Sequence, residues 1–148
     1  MTISVEIINQ LSDNYSYLIS GNKDNSSIII DPAESDKILN VLKKKKLNLN
    51  YIFITHHHSD HTSGVADLVR AYPEVKVFSP SELNSISVNV ISDSNKIITN
   101  LIEFEIIHTP GHTLDHIVLC DLKNNLLFVG DVLFRLGCGR VFEGTLEQ

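Results

Sequence analysis

Apolar residues along this chain fall into short runs of β character separated by clusters of turn-forming residues. Ile3–Ile8, Tyr15–Ile19 and Ser27–Asp31 come first, with a Gly-Asn-Lys-Asp-Asn cluster from Gly21 to Asn25 ahead of the third, and they predict a small antiparallel sheet. After Pro32, residues Ile38, Leu39, Val41 and Leu42 recur at helical spacing and run into Lys43–Lys46, which predicts a helix covering one sheet face. Tyr51–Thr55 predicts a buried strand leading into a histidine cluster. Leu68, Val69 and Tyr72 predict a second helix over Asp67–Tyr72, stopped by Pro73. Further strands are expected at Val75–Phe78, Ile86–Ile91, Leu101–Ile107, Ile117–Asp121 and Leu126–Val129. Sheet-rich segments punctuated by covering helices predict a layered mixed fold.

Composition narrows the class. A chain of 148 residues is the length of one domain, and such a domain buries roughly 68–70% of its unfolded surface, enough to fold without a disulfide. With 43% apolar and 20% charged residues it is globular rather than disordered. The net charge is −6 and the only basic run, Lys43–Lys46, sits where cations meet the negative end of a helix dipole, so nucleic acid is not expected as a partner. Apolar runs such as Leu126–Val129 are four residues long, against about 20 for a bilayer span, so no membrane partner is expected either. The N-terminal residues lack the basic and apolar regions of a secretory signal, which predicts a cytoplasmic protein. Cys120 and Cys138 form neither a close pair nor a four-ligand pattern and are read as reduced thiols.

The chemistry starts at Thr55-His-His-His-Ser-Asp-His-Thr-Ser-Gly64. His56 and His58 are two apart at the end of a predicted strand, so both fall on one face and His57 on the other. Asp60 and His61 follow in a predicted loop and add a carboxylate oxygen and another ring nitrogen, both suited to zinc. A solvated polyhistidine patch would leave the apolar strand leading in and the helix leading out unexplained. In His108-Thr-Pro-Gly-His112-Thr-Leu-Asp-His116, the Pro110-Gly111 turn presents His112 at its tip. Phe128-Val-Gly-Asp131 is a strand ending in glycine and a carboxylate. Alone, Asp115 or Asp131 reads as a turn cap, and the nearby histidines change that reading for Asp131 only. His108 and His116 are expected to satisfy backbone groups or to orient a neighbour.

His56-x-His58-x-Asp60-His61, His112 after Thr-Pro-Gly, and Gly130-Asp131 together resemble the metallo-β-lactamase superfamily. Leu11-Ser-Asp-Asn-Tyr-Ser-Tyr-Leu18 and Gly137-Cys-Gly-Arg-Val-Phe-Glu-Gly-Thr145 are similar to glyoxalase II, the hydroxyacylglutathione hydrolases. The resemblance implies an α+β chain with the four-layered αββα fold, incomplete in its C-terminal half. It implies zinc at two sites, with iron or manganese as alternatives: His56, His58 and His112 hold one metal, Asp60 and His61 the second, and Asp131 bridges them. It implies that Arg140 and Phe142 contact a glutathione thioester substrate; without it they read as a surface charge and a core aromatic. The chemistry implied is attack on the thioester carbonyl by a water deprotonated between two dications about 3.5–4 Å apart, with Asp60 and Asp131 as the catalytic carboxylates and no side-chain nucleophile. Cys138, in a glycine-flanked turn without a nearby base, is read as structural.

Family members continue past the Glu-Gly-Thr stretch with the rest of the domain, one further histidine for the second metal, and a helical domain. Residues 1–148 are therefore expected to form a metallo-β-lactamase-like domain lacking those parts, with its second metal site weakened. Thr145-Leu-Glu-Gln148 reads as a capping box opening a helix. Two functions of different class follow: a thioester hydrolase impaired by its shortness, and a non-catalytic metal-binding remnant that associates with another chain. A persulfide dioxygenase-like iron enzyme is a third reading, which the Gly137-Cys-Gly-Arg140 stretch disfavours. The missing segment is expected to bare apolar side chains on Ile117–Leu119 and Leu126–Val129, driving a homodimer or larger self-association.

Overall fold

The computed structural model describes residues 2–148. Strands β1 (Ile3–Gln10), β2 (Asn14–Gly21) and β3 (Ser26–Ile30) form the expected antiparallel unit, but the sheet does not stop there. Helix α1 (Ser35–Lys45) carries the chain across to β4 (Asn48–Phe53), which pairs parallel with β3. The turn α2 (Ser59–Thr62) and helix α3 (Val65–Ala71) lead to β5 (Lys76–Ser79) and β6 (Asn89–Val90), giving a six-stranded sheet in the order β1-β2-β3-β4-β5-β6. Strands β7 (Lys96–Ile98), β8 (Glu103–His108), β9 (Ile117–Asp121) and β10 (Leu126–Phe128) form an antiparallel second sheet in the order β10-β9-β8-β7. A short hairpin, β11 (Leu133–Phe134) and β12 (Gly137–Cys138), follows.

The Ile28-Ile29-Ile30 run is buried at every position because β3 is covered on both faces. Ile28 and Ile30 join Phe53, Phe104, Leu119 and Phe128 in the core between the sheets, while Ile29 joins Ile38, Leu42, Ile52, Val65 and Leu68 under α1 and α3. Phe53 anchors the first of these, stacked on Phe78 at 4.9 Å and edge-on to Phe104 at 5.0 Å. Each such side chain contributes about 1.5–3 kcal/mol by leaving water. The layers are thus helix, sheet, sheet; a helical layer over the second sheet is not among the described residues. No helix among them is long and apolar enough to cross a membrane.

Several boundaries follow local chemistry. Helix α1 ends in Lys43, Lys44 and Lys45, as the lysine run predicts, with Lys46 in the left-handed conformation closing it. Helix α3 stops at Tyr72, held extended at φ −129° and ψ 79° by the proline that follows. Other expectations need correction. The Ile86–Ile91 strand is only Asn89–Val90, with Ile86 turned into a local bridge to Leu83. Leu101 and Ile102 precede β8 as buried loop residues, while β7 and the β11–β12 hairpin are strands that the residue pattern does not predict. Ile117, Val118 and Leu119 are not bared: Ile117 and Leu119 point into the core between the sheets, and the outward Val118 is sheltered because β9 is an interior strand. Phe128 is buried as well, and Leu127 alone of that run is largely exposed, at 54%.

Exposed apolar side chains instead collect toward the C-terminus, at Leu133, Phe134, Leu136, Phe142 and Leu146. At the capping box, the Gln148 side-chain oxygen accepts the Thr145 N–H at 2.9 Å, which is the reciprocal bond that motif provides.

Candidate metal centre

Strand ends deliver the site. Ile30 of β3 pairs with Phe53 of β4, the Asp31 N–H bonds the Phe53 carbonyl at 3.0 Å, and the Ile117 N–H at the head of β9 bonds the Thr55 carbonyl at 2.9 Å. Both sheets therefore open at one rim. Because β4 ends at Phe53, Thr55–His58 is a bend rather than the strand end expected, yet the sidedness holds: His56 and His58 turn inward and His57 is exposed. Asp60 and His61 sit on the single turn α2, not in a loop.

Three imidazoles converge. Nε2 of His56 lies 3.1 Å from Nδ1 of His58, and Nε2 of His112 lies 3.0 Å from that same atom. Burial, and then the neighbouring rings, hold His56 far below the usual histidine range and His58 below it, so both are neutral and offer lone pairs.

The outward nitrogens are anchored. Nδ1–H of His112 donates to the Arg140 carbonyl at 2.8 Å, and His56 Nδ1 bonds Thr55 Oγ1 at 3.0 Å. Thr55 Oγ1 donates onward to Asp31 Oδ2 at 2.7 Å, which also receives His61 Nδ1 at 3.0 Å. Each bond fixes a tautomer that turns the other nitrogen inward.

The second group is built from Asp131, His61 and Asp60. Asp131 Oδ2 lies 3.2 Å from His112 Nε2 and its Oδ1 3.2 Å from His61 Nε2, so this carboxylate faces both groups. Burial opposes charge on Asp131, but His61 and the other rings keep its carboxyl below the usual carboxylate range. Burial likewise opposes charge on His61, and the adjacent Asp131 and Asp31 carboxylates push it up to about 10. Although close to Asp131, and 3.7 Å from Asp60 Oδ2, the buried His61 Nε2 is aligned for a hydrogen bond with neither. An orphaned buried nitrogen facing two carboxylates is what a cation site requires, and the Nε2, Nδ1 and carboxylate oxygens suit zinc or iron.

Asp60 is farther out. Its Oδ2 accepts the Asn14 amide at 2.9 Å, and the tightest cluster around His61 contains His56 and Asp131 rather than Asp60. Phe142 is no core aromatic: it is 60% exposed, its ring centroid 5.2 Å from that of His112 and 5.8 Å from that of His58. Arg140 reaches the site through its carbonyl, and its side chain is exposed. A cavity of about 360 Å³ opens on the His61 side, lined by Tyr17, Asp60, His61, Asp131, Phe134 and Arg135.

Four supporting residues carry little or no ligand signal in the sequence. Asp31 ends an apolar strand in a carboxylate, the signal that singled out Asp131. Asn14 lies in the Leu11–Leu18 stretch, and its link to Asp60 spans too much chain for a motif to show. His116, neutral because burial drives it down to about 4, accepts the Asp131 N–H on Nε2 at 3.1 Å, and so orients a neighbour as expected. Gly139 lies so near Asp131 that a β-carbon there would overlap the Asp131 carbonyl oxygen. Cys120 and Cys138 are both free thiols, and neither joins a ligand cluster among the described residues.

Residues 11–89 and 85–146 match the profile described as the metallo-beta-lactamase superfamily. The chain belongs to this superfamily. It is 41% identical over 148 residues to a hydroxyacylglutathione hydrolase of Pseudoalteromonas translucida, a match covering 99% of this chain and 56% of that protein. A hydroxyacylglutathione hydrolase of Vibrio cholerae is 42% identical over 147 residues, covering 99% and 57%. The superfamily domain here thus spans little more than half the length of the curated relatives it matches. Among solved structures, ETHE1 from Myxococcus xanthus is similar with a TM-score of 0.77 and 26% identity over 97% of this chain and 63% of its own. The B3 metallo-beta-lactamase BLEG-1 superposes with a TM-score of 0.80 at 22% identity, over 93% of this chain and 76% of its own.

Proposed function

We propose that this chain is a metal-dependent thioester hydrolase acting on hydroxyacylglutathione-type substrates. The observation that carries the reading is the convergence of His56 Nε2 and His112 Nε2 on His58 Nδ1, at 3.1 and 3.0 Å, beside the orphaned His61 Nε2. Identity above 40% to relatives bearing that name supports the substrate class. Zinc is the metal proposed, held by His56, His58 and His112, with His61, Asp60 and Asp131 forming a second site.

Bound dications would supply Lewis acidity, lowering the pKa of water and offsetting charge at the thioester carbonyl. The chain's own part is orientation. Thr55, Arg140 and Asp31 fix the ring tautomers, His116 holds the Asp131 backbone, and Asn14 holds one oxygen of Asp60. Tyr17, kept protonated by burial and then by Asp31, offers a phenol at the cavity wall. Phe142 would offer an apolar face beside His58 and His112, and Arg140 a cation for an anionic glutathione carboxylate. A glutathione thioester belongs to a reducing compartment, which fits a cytoplasmic setting. Self-association is part of the proposal, through the exposed Leu133, Phe134, Leu136 and Leu146 and the free edge of β10.

The test is zinc content per chain together with hydrolysis of lactoyl-glutathione by a polypeptide of these 148 residues. Zinc-dependent turnover, slow beside that of a relative of full family length, is expected, because fewer groups grip the second metal and the substrate. Bound zinc with no turnover on this or smaller thioesters would favour the non-catalytic reading.

A further inference from the structure

His56, His112 and His61 each have an acceptor on the nitrogen that faces away from the centre, and His58 does not. Its Nδ1 points inward, and its other ring nitrogen has no hydrogen-bond partner among the described residues. Glu143 stands near this ring without bonding it: an oxygen of Glu143, a ring nitrogen of His57 and a ring nitrogen of His58 lie within 4.8 Å of one another. Glu143 has no role in the chemistry above.

Glu143 is itself tied down on two sides. Its Oε2 accepts the Leu114 N–H at 2.8 Å, and its Oε1 lies 3.2 Å from Nε2 of His57. The other ring nitrogen of His57 bonds Asp115 Oδ1 at 2.9 Å, and Asp115 accepts the hydroxyls of Thr113 at 2.6 Å and Ser81 at 2.7 Å. The backbone beneath is equally close: the Gly144 N–H bonds the Gly111 carbonyl at 3.1 Å, the Phe142 N–H bonds the His112 carbonyl at 3.3 Å, and a β-carbon on Gly144 would come within 2.7 Å of the Gly111 Cα. Phe142–Gly144 is therefore laid against the Pro-Gly-His turn, which keeps a Glu143 oxygen within 4.8 Å of a ring nitrogen of the one imidazole that lacks an outer anchor.

We infer that Glu143 is a positioning residue, a clasp that joins the His57–His58 bend, the His112–Asp115 turn and the Arg140–Gly144 loop, and supplies the outer carboxylate that orients His58 toward the metal. His57, exposed and turned away from the centre, acts here as the strut between Asp115 and Glu143. The inference rests on the reading of His58 as a metal ligand. Carboxylates in this position typically change metal affinity about 10–100-fold when removed.

The test compares the parent with Glu143→Ala and Glu143→Gln, measuring zinc affinity by chelator competition, the visible spectrum of the cobalt-substituted protein, and unfolding of the metal-free forms. Glu143→Ala is expected to weaken the tighter zinc site by about 10–100-fold and to alter the cobalt spectrum. Glu143→Gln, which keeps an acceptor for the Leu114 N–H but loses the carboxylate, should fall between it and the parent and stands in if the alanine variant does not fold. Parental affinity and spectrum in both folded variants would overturn the inference. Loss of an additional metal equivalent with the tighter site unchanged would also overturn it, making the cluster a ligand set in its own right. A parent that binds no zinc would instead remove the metal reading on which the inference stands.

Discussion

Asp31 Oδ2 lies 3.0 Å from Nδ1 of His61, and that contact turns the buried Nε2 of His61 toward Asp131. The same carboxylate accepts the Thr55 N–H at 2.8 Å and the Thr55 hydroxyl at 2.7 Å, so a single side chain at the end of β3 sets the orientation of both neighbouring elements. It does so from a backbone φ of 50°, in the left-handed region that a short polar side chain tolerates.

Replacing Asp31 by alanine strands a buried N–H and frees the His61 ring. The metal-free protein should lose about 1–3 kcal/mol of stability, and the His61 metal site should weaken about 10–100-fold. Denaturant unfolding and chelator competition read the two effects separately. Unchanged metal affinity in the folded variant would show that His61 needs no support from β3.

Gly130 precedes Asp131 with φ 49°, and a β-carbon there would lie 2.5 Å from Thr55 Oγ1 and 2.7 Å from His116 Nε2. Gly130→Ala should cost about 1–2 kcal/mol for the backbone conformation and about 1–3 kcal/mol more for displacing those neighbours. Because both displaced groups orient metal-facing residues, metal should be lost along with stability. Unfolding midpoints and metal content unchanged from the parent would contradict this packing.

The exposed apolar residues at the C-terminal end should bring chains together, since monomers seldom carry contiguous apolar patches beyond about 300–600 Å². Light scattering at micromolar concentration should report a species heavier than the 16.6 kDa chain. Leu136→Lys, at a residue that is 96% exposed, should shift it toward the monomer without loss of fold. A stable monomer that binds no hydrophobic dye would refute the idea.

Much of this architecture could be read from residues alone where the signal was local. His56, His58, His112 and Asp131 are legible because ligand chemistry clusters in short motifs at strand ends, and the buried strand Tyr51–Thr55 because its run is apolar up to Thr55. Asp31 carried the same signal as Asp131 but no histidine beside it in sequence; its partners Thr55 and His61 arrive only through the parallel pairing of β3 with β4. Asn14 likewise meets Asp60 across 46 positions of chain. Strands of two or three residues such as β7, β11 and β12 are too short for alternation to register. The exposure of Ile117–Leu119 was misjudged because it depends on sheet order, which no single run encodes.

The central claim is that these side chains form a metal centre of unequal halves, and zinc titration of the metal-free chain against a chromophoric chelator tests it most directly. On that proposal His56, His58, His112 and Asp131 would offer one metal four ligands, whereas Asp60, His61 and Asp131 would offer the other three. One tightly held zinc and a second bound more weakly are predicted, the tight one abolished by His58→Ala. No zinc bound, or two bound equally tightly, would contradict the account.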